Sequence, residues 1–337
     1  MRIIKKTTVS AVVASGALLL AGLGLPGSGV AQAADGAIDW RITPATDALP
    51  EGHVKLHLRQ ITTRGGQMNS SDHFPLEDLE GLRAQDLNAA GSREVSFAMR
   101  RDAGELTCDG QAGEGAGIGL CDFAPSSAFS DALVARGLDA PKESEMFLLA
   151  LQDARISLLD DMSAAGYDVP ELDDFIALVI HGVDGDYVRE LASVGVRPDD
   201  LVGFRIHGVT ADFARAVRDM GPGFADLDSD DLMAMRIHGV TPIVANEYAA
   251  LGFDGLEPKE LIAFRIHGVT PAFIAAVRDM GYEDITADEL IAFRIHGISA
   301  SYLEAFTSRG YALPAPDEVV SMKIAGFDPR RMKKSAE

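Results

Sequence analysis

Ala287-Asp288-Glu289-Leu290-Ile291-Ala292-Phe293-Arg294-Ile295-His296-Gly297-Ile298-Ser299 is almost a copy of Pro258-Lys259-Glu260-Leu261-Ile262-Ala263-Phe264-Arg265-Ile266-His267-Gly268-Val269-Thr270, 29 residues earlier. The His-Gly pair of this block recurs at His181, His207, His238, His267 and His296, with spacings of 26, 31, 29 and 29. Ala325-Gly326 continues the series 29 residues on, and Gln152-Asp153, 29 residues before His181, begins it in weaker form. A fixed period of this length marks a chain built from one supersecondary unit used many times.

Each block carries its own start and stop signals. Thr286 followed by Glu289 is a capping box, and Pro258 and Pro198 fall where a first helical turn tolerates proline. Gly268 stands just past a run of good helix formers, where a left-handed residue ends a helix, and Thr270-Pro271 offers the next N-cap. A second helix follows at once, with Phe273, Ile274, Val277 and Met280 at helical spacing before Gly281. Phe213, Val217, Met220 and Gly221 repeat this, as do Tyr302, Leu303, Phe306 and Gly310.

The unit is therefore an αα-hairpin, a short helix, a tight turn, a longer helix and a loop. No such hairpin buries its apolar face alone, so the expectation for residues 126–326 is an α-solenoid with one continuous core. Six units run from Gln152 through His296, Phe129 to Gly137 supplies a preceding second helix without its first, and a basic tail, 327–337, ends the chain with Arg330, Arg331, Lys333 and Lys334.

Residues 36–125 follow a different grammar. Val54 to Arg59 and Val95 to Arg100 alternate apolar and polar side chains, as half-buried strands do. Glu105-Leu106-Thr107-Cys108 and Gly119-Leu120-Cys121-Asp122 add two more strands joined by the glycine-rich Gly110 to Gly117. Trp40, the only tryptophan, belongs in this small core. Pro75 to Leu82 reads as a helical turn and Thr62 to Ser71 as a polar loop. The fold class is α+β multidomain, a small β-sandwich or β-roll domain of at least four strands followed by the solenoid.

Arg2, Lys5 and Lys6, an apolar run from Val9 to Leu25 and Ala31-Gln32-Ala33 have the order of a secretory signal peptide over residues 1–33, with an uncleaved anchor as the alternative. No later run is long and apolar enough to span a bilayer. Export lets Cys108 and Cys121 persist as a disulfide; a redox or metal pair is the alternative, without a Cys-x-x-Cys to support it. The formal charge is −21, and becomes −24 if the leader takes three basic residues with it. Such a surface repels phosphate backbones, which excludes nucleic acid as a partner; cationic partners remain compatible.

The recurring polar residues invite chemistry. Five histidines, each directly before Gly182, Gly208, Gly239, Gly268 or Gly297, sit where an imidazole can bond the last carbonyls of a helix. The competing reading is a metal ladder, but stacked helices lie about 8–10 Å apart while zinc holds nitrogen at about 2 Å. No metal or cofactor is expected. Arg205, Arg236, Arg265 and Arg294 recur two residues before His, with Val179 in that place in the first full unit. They form either a binding stripe or a ladder paired with carboxylates such as Asp219 and Asp279. No nucleophile elbow, zinc helix or phosphate-cradling loop is present. A constellation of His53, His57, Asp72 and His73 is the one place left for catalysis, and no catalytic role is assigned.

The Arg-Ile-His-Gly-Val-Thr-Pro block resembles a repeat family of exported or membrane-tethered bacterial proteins, which is similar to the extracytoplasmic tail of some antirepressor metallopeptidases of the β-lactam-sensing type. Pro75-Leu76 to Gly81-Leu82, Val95-Ser96-Phe97, Arg101-Asp102-Ala103-Gly104 and Gly115 to Phe123 resemble the β domain that precedes those repeats. The zinc helix and membrane spans of such peptidases have no counterpart here. The expectation is a periplasmic or secreted, non-catalytic module that binds a protein or peptide through its repeats. An envelope-stress or ligand-sensing accessory, with ligand on the β domain, is the second reading, and a hydrolase the third.

Overall fold

The computed structural model describes residues 38–43, 51–61, 67–331 and 333. The leader and its Ala33 junction lie outside these residues, as do positions 62–66 of the expected polar loop and 332 and 334–337 of the tail.

Six antiparallel strands form one sheet: β1 (Ile38–Ile42), β2 (His53–Ile61), β3 (Gln67–Pro75), β4 (Arg93–Arg101), β5 (Gly104–Gly113) and β6 (Ala116–Pro125), in the order β3-β2-β1-β6-β5-β4. Residues 67–71, expected in a loop, begin β3 instead, because each finds a ladder partner on β2, from Gln67 opposite Ile61 to Ser71 opposite His57. Backbone pairing here prevails over a polar composition.

The glycine-rich stretch between the cysteines is also strand. Only Glu114 and Gly115 make the turn, both with positive φ (55° and 82°), as a tight hairpin of this hand requires. The glycines serve Trp40. A Cβ at Gly110, Gly117 or Gly119 would stand 2.7, 2.8 or 2.5 Å from the indole, so the ring lies on bare backbone, and its Nε1 donates to the Asp109 carbonyl at 3.1 Å. Phe97 meets its edge at 5.1 Å. Cys108 and Cys121 are directly opposite in the β5–β6 register and are disulfide-bonded.

One face of the sheet is apolar and buried: Ile38, Trp40 and Ile42, Leu56 and Leu58, Phe97 and Met99, Leu106 and Cys108. Among the described residues no second sheet covers it. Its cover is Leu79 and Leu82, α1 (Ala84–Leu87), and Phe147 and Leu151 of α3 (Glu143–Leu151). Helix α3 also turns Met146, Leu149 and Ala150 into the core of the helical part. Arg101, nearly buried, ties the junction by pairing with Asp78 at 2.5 Å and Asp153 at 3.4 Å.

The rest is helical. After α2 (Ser127–Ala135) and α3 come α4 (Ser157–Ala164), α5 (Leu172–Ile180), α6 (Gly185–Ala192), α7 (Leu201–His207), α8 (Ala211–Arg218), α9 (Ser229–Ile237), α10 (Pro242–Ala249), α11 (Pro258–His267), α12 (Pro271–Asp279), α13 (Ala287–Ile295), α14 (Ala300–Thr307) and α15 (Pro316–Ile324). The second helix is the longer one in the α7–α8 hairpin, with 8 residues against 7, but not in its neighbours: α6, α10 and α14 have 8 residues each, while α5, α9 and α13 have 9. A left-handed glycine follows three residues after α6, α10 and α14, at Gly195, Gly252 and Gly310, and halts the helix.

Odd-numbered helices from α3 to α15 pack on one another along the row, and α4 on α6 and α12 on α14 do the same. Leu201 and Phe204, Leu232 and Met235, Leu261 and Phe264, Leu290 and Phe293 fill the same two places, all at most 2% exposed. They belong to one continuous core from Phe129 to Val319. The irregular 31-residue spacing comes from a longer loop after α8, which holds a 3-10 turn, Pro222–Phe224. No described helix is long and apolar enough to cross a membrane, although α11 and α12 together pass that test as a pair bent by 82°.

Candidate functional site

The turn between the two helices of each hairpin is where the repeated polar residues meet. Gly182, Gly208, Gly239, Gly268 and Gly297 all take φ of 66–70°, which lets the next residue fold back. The Val269 amide then donates to the Phe264 carbonyl at 2.8 Å and the Ile298 amide to Phe293 at 2.7 Å, and Val183, Val209 and Val240 do the same. These are Schellman caps, and the residue that closes each is buried, 4% exposed at most. The following Thr210, Thr241, Thr270 or Ser299 caps the second helix by accepting from the amide three residues on.

His181, His238 and His296 stand at the C-cap of α5, α9 and α13, and His207 and His267 are the last residues of α7 and α11. Among the described residues no imidazole of the five hydrogen-bonds a helix carbonyl; His181 and His207 are exposed, His238, His267 and His296 half-buried, and no group of His, Cys, Asp or Glu could hold a metal. The side chain that bonds the helix end is the arginine of the following unit. Arg265 Nε donates to the His238 carbonyl at 2.9 Å and Arg294 Nε to the His267 carbonyl at 3.0 Å. A cation belongs there, since the carbonyl end of a helix carries partial negative charge.

The same guanidiniums lie over the third residue of the preceding unit's second helix: Arg205 over Tyr187 (5.0 Å), Arg236 over Phe213 (5.3 Å) and Arg294 over Phe273 (4.9 Å). Lys323 continues the series over Tyr302 at 4.4 Å. Where Val244 replaces the ring, Arg265 instead lies near the Tyr248 hydroxyl. The expected pairing of this ladder with Asp219 and Asp279 is not what the chain forms. Among the described residues none of the four arginines, nor Lys323, pairs with a carboxylate; acidic side chains pair instead with Arg189, Arg197 and Arg215. The ladder arginines meet a ring (Arg205 and Arg236), a carbonyl (Arg265) or both (Arg294), whereas Asp219 and Asp279 follow the second helices. Burial pushes the Tyr187 phenol up to about 12, against the opposing pull of Arg205.

Between each arginine and histidine stands an isoleucine that sequence reasoning passed over. Ile180, Ile206, Ile237, Ile266, Ile295 and, before Ala325-Gly326, Ile324 are between 44% and 65% exposed. Single exposed apolar residues are ordinary, but the same one at the same place in six successive units is a row. Its signal was available: the core of each first helix uses places such as Leu261 and Phe264, and an unvarying isoleucine two residues past Phe264 is out of phase with them.

The outer face of the sheet holds a concavity of about 360 Å³, lined by Asp39, Arg41, His57, Arg59, Asn69 and Ser71 among others. Ile118 and Leu120, both exposed, lie beside it on β6, opposite Arg41 and Asp39. His53, His57 and His73 share this outer face; Asp72 faces the other way, and its carboxylate accepts from the His73 backbone amide at 2.7 Å. Among the described residues no imidazole of the three meets a carboxylate in the geometry of an acid-base pair.

Comparison with known proteins finds no matching family, no matching curated sequence and no matching solved structure.

Proposed function

We propose that the chain is an exported, non-catalytic module whose hairpins stack as an α-solenoid and hold a protein or peptide partner along the isoleucine row. The observation that carries this is the row itself: six exposed isoleucines in register, flanked from Ile206 onward by Arg205, Arg236, Arg265, Arg294 and Lys323. Among the described residues each of these cations keeps donors free of carboxylates, on a chain of formal charge −21. An extended segment with apolar side chains and carboxylates in alternation complements such a surface. The Cys108–Cys121 bridge supports an oxidising compartment, as the leader does.

The test is a crosslinking pull-down from envelope extract with the full chain and with a variant carrying Ile237→Lys, Ile266→Lys and Ile295→Lys. These side chains are outside the core, so the helical circular dichroism is expected to be unchanged. Loss of a saturable partner from the variant supports the row. Equal recovery by both proteins refutes it. The concavity beside Arg41 and Arg59 favours the second reading, a ligand-sensing sheet, and Arg41→Ala with Arg59→Ala abolishing recovery while the row variant retains it points there.

A further inference from the structure

The second helices carry an arginine of their own. Arg218 in α8 and Arg278 in α12 each lie five residues after the ring-bearing place, Phe213 and Phe273. Arg218 Nη1 donates to the Val194 carbonyl at 2.6 Å, in the loop ending the preceding unit, and its Nη2 to the Leu227 carbonyl at 3.0 Å, at the end of its own loop. Arg278 Nη1 donates to the corresponding Leu251 carbonyl at 2.8 Å and lies over Phe253 at 5.2 Å. From α6 to α14 this place holds Ala192, Arg218, Ala249, Arg278 and Thr307.

Ala249 therefore stands between two arginine-filled places, and there a cleft of about 300 Å³ opens. By the repeat register the carbonyls that correspond to Val194 and Leu227 belong to Met220 and Leu256, and both residues line it. Among the described residues neither carbonyl accepts a hydrogen bond. Phe224 and Phe253 form apolar walls, and Asp219 and Asp254 stand at the rim. The longer loop after α8, with its 3-10 turn, supplies part of this wall.

We propose that this cleft receives an arginine side chain of a partner protein or peptide, whose guanidinium occupies the place that Arg218 and Arg278 fill in the adjoining units. A planar fork can donate to two carbonyls and to a carboxylate at once, which an ammonium cannot match. The acidic field of the chain draws a basic segment toward it. No residue of the isoleucine row lines the cleft, so the proposal goes beyond the preceding one and does not require it.

The probe is a capped Gly-Arg-Gly peptide, with citrulline and lysine counterparts, titrated into the full isotopically labelled chain and followed by amide shifts. Expected are saturable shifts at residues 219–224 and 249–256, with citrulline at least about tenfold weaker because it lacks the charge that strengthens each bond. Ala249→Arg should supply the guanidinium from within, abolish the response and leave the melting temperature equal or higher. Shifts confined to other regions, equal affinity for citrulline, or undiminished binding by a folded Ala249→Arg variant would overturn the proposal. If that variant does not fold, the arginine and citrulline titrations of the unaltered chain decide it alone.

Discussion

Arg294→Ala removes two interactions at once. The Nε bond to the His267 carbonyl, 3.0 Å long, caps α11 from the next unit, and the guanidinium lies 4.9 Å from the centre of the Phe273 ring. A charge-assisted bond at an exposed helix end is worth about 1 kcal/mol, and a cation over a partly exposed ring about 0.5–1 kcal/mol. The expected loss is about 1.5–2 kcal/mol, concentrated between neighbouring units because the arginine belongs to one and its partners to another. Urea unfolding followed by circular dichroism reads the total, and hydrogen exchange at the Gly268 and Val269 amides reads the local opening. Phe273→Val reproduces what the chain itself has at Val244, so the cycle of Arg294→Ala, Phe273→Val and the double variant isolates the ring contribution, expected at about 0.5–1 kcal/mol. A coupling of zero, together with unaltered exchange at Gly268, would refute the structural role of the ladder and leave these arginines wholly free for a partner.

Gly119→Ala places a methyl 2.5 Å from the Trp40 nitrogen and 2.0 Å from the Asp109 carbonyl; the overpacking should destabilise the sheet by about 1–3 kcal/mol and alter the emission of the single tryptophan. Reduction of Cys108–Cys121, 13 residues apart, should lower stability by about 3 kcal/mol, seen as a fall in melting temperature with dithiothreitol that a Cys108→Ala, Cys121→Ala variant no longer shows. Burial raises the phenols of Tyr187 and Tyr282 to about 12, whereas both ionise near 10 when unfolded. Their contribution is complete below pH of about 10 and is lost as pH rises toward about 12, since the unfolded chain then releases protons that the folded one retains. Urea midpoints across that window should fall, and Tyr187→Phe should fall less steeply; an equal slope would argue against the assignment.

The helical part was legible because its punctuation is local. The glycine after each histidine, the Thr or Ser two residues later and the Leu and Phe places are settled within one unit, and the structure uses them as the spacing suggests. Interactions between units were not legible. Arg294 is 27 residues from the carbonyl it caps, and only the stacking of hairpins brings it there, so from sequence the bonding of that helix end is assigned to the local His267 side chain. The isoleucine row was overlooked because an apolar residue inside a helix reads as core until the phase against Leu261 and Phe264 is counted. In the sheet, alternation identified β2 and β4, but the polar β3 and the glycines of β5 and β6 followed other needs. One is a ladder partner for β2, the other room for Trp40.

Helix α3 contributes Phe147 and Leu151 to one core and Met146, Leu149 and Ala150 to the other. The chain therefore has no clean seam at Pro125, where the composition changes. A fragment ending there loses the α3 part of the cover of its sheet, and a fragment beginning there presents Phe147 and Leu151 to water. The shortest sheet fragment expected to behave as a folded protein extends through Leu151, and the repeats in turn begin with a helix already committed to the sheet. What reads in sequence as two separate modules shares, in its hydrophobic accounting, one wall, and that wall is α3.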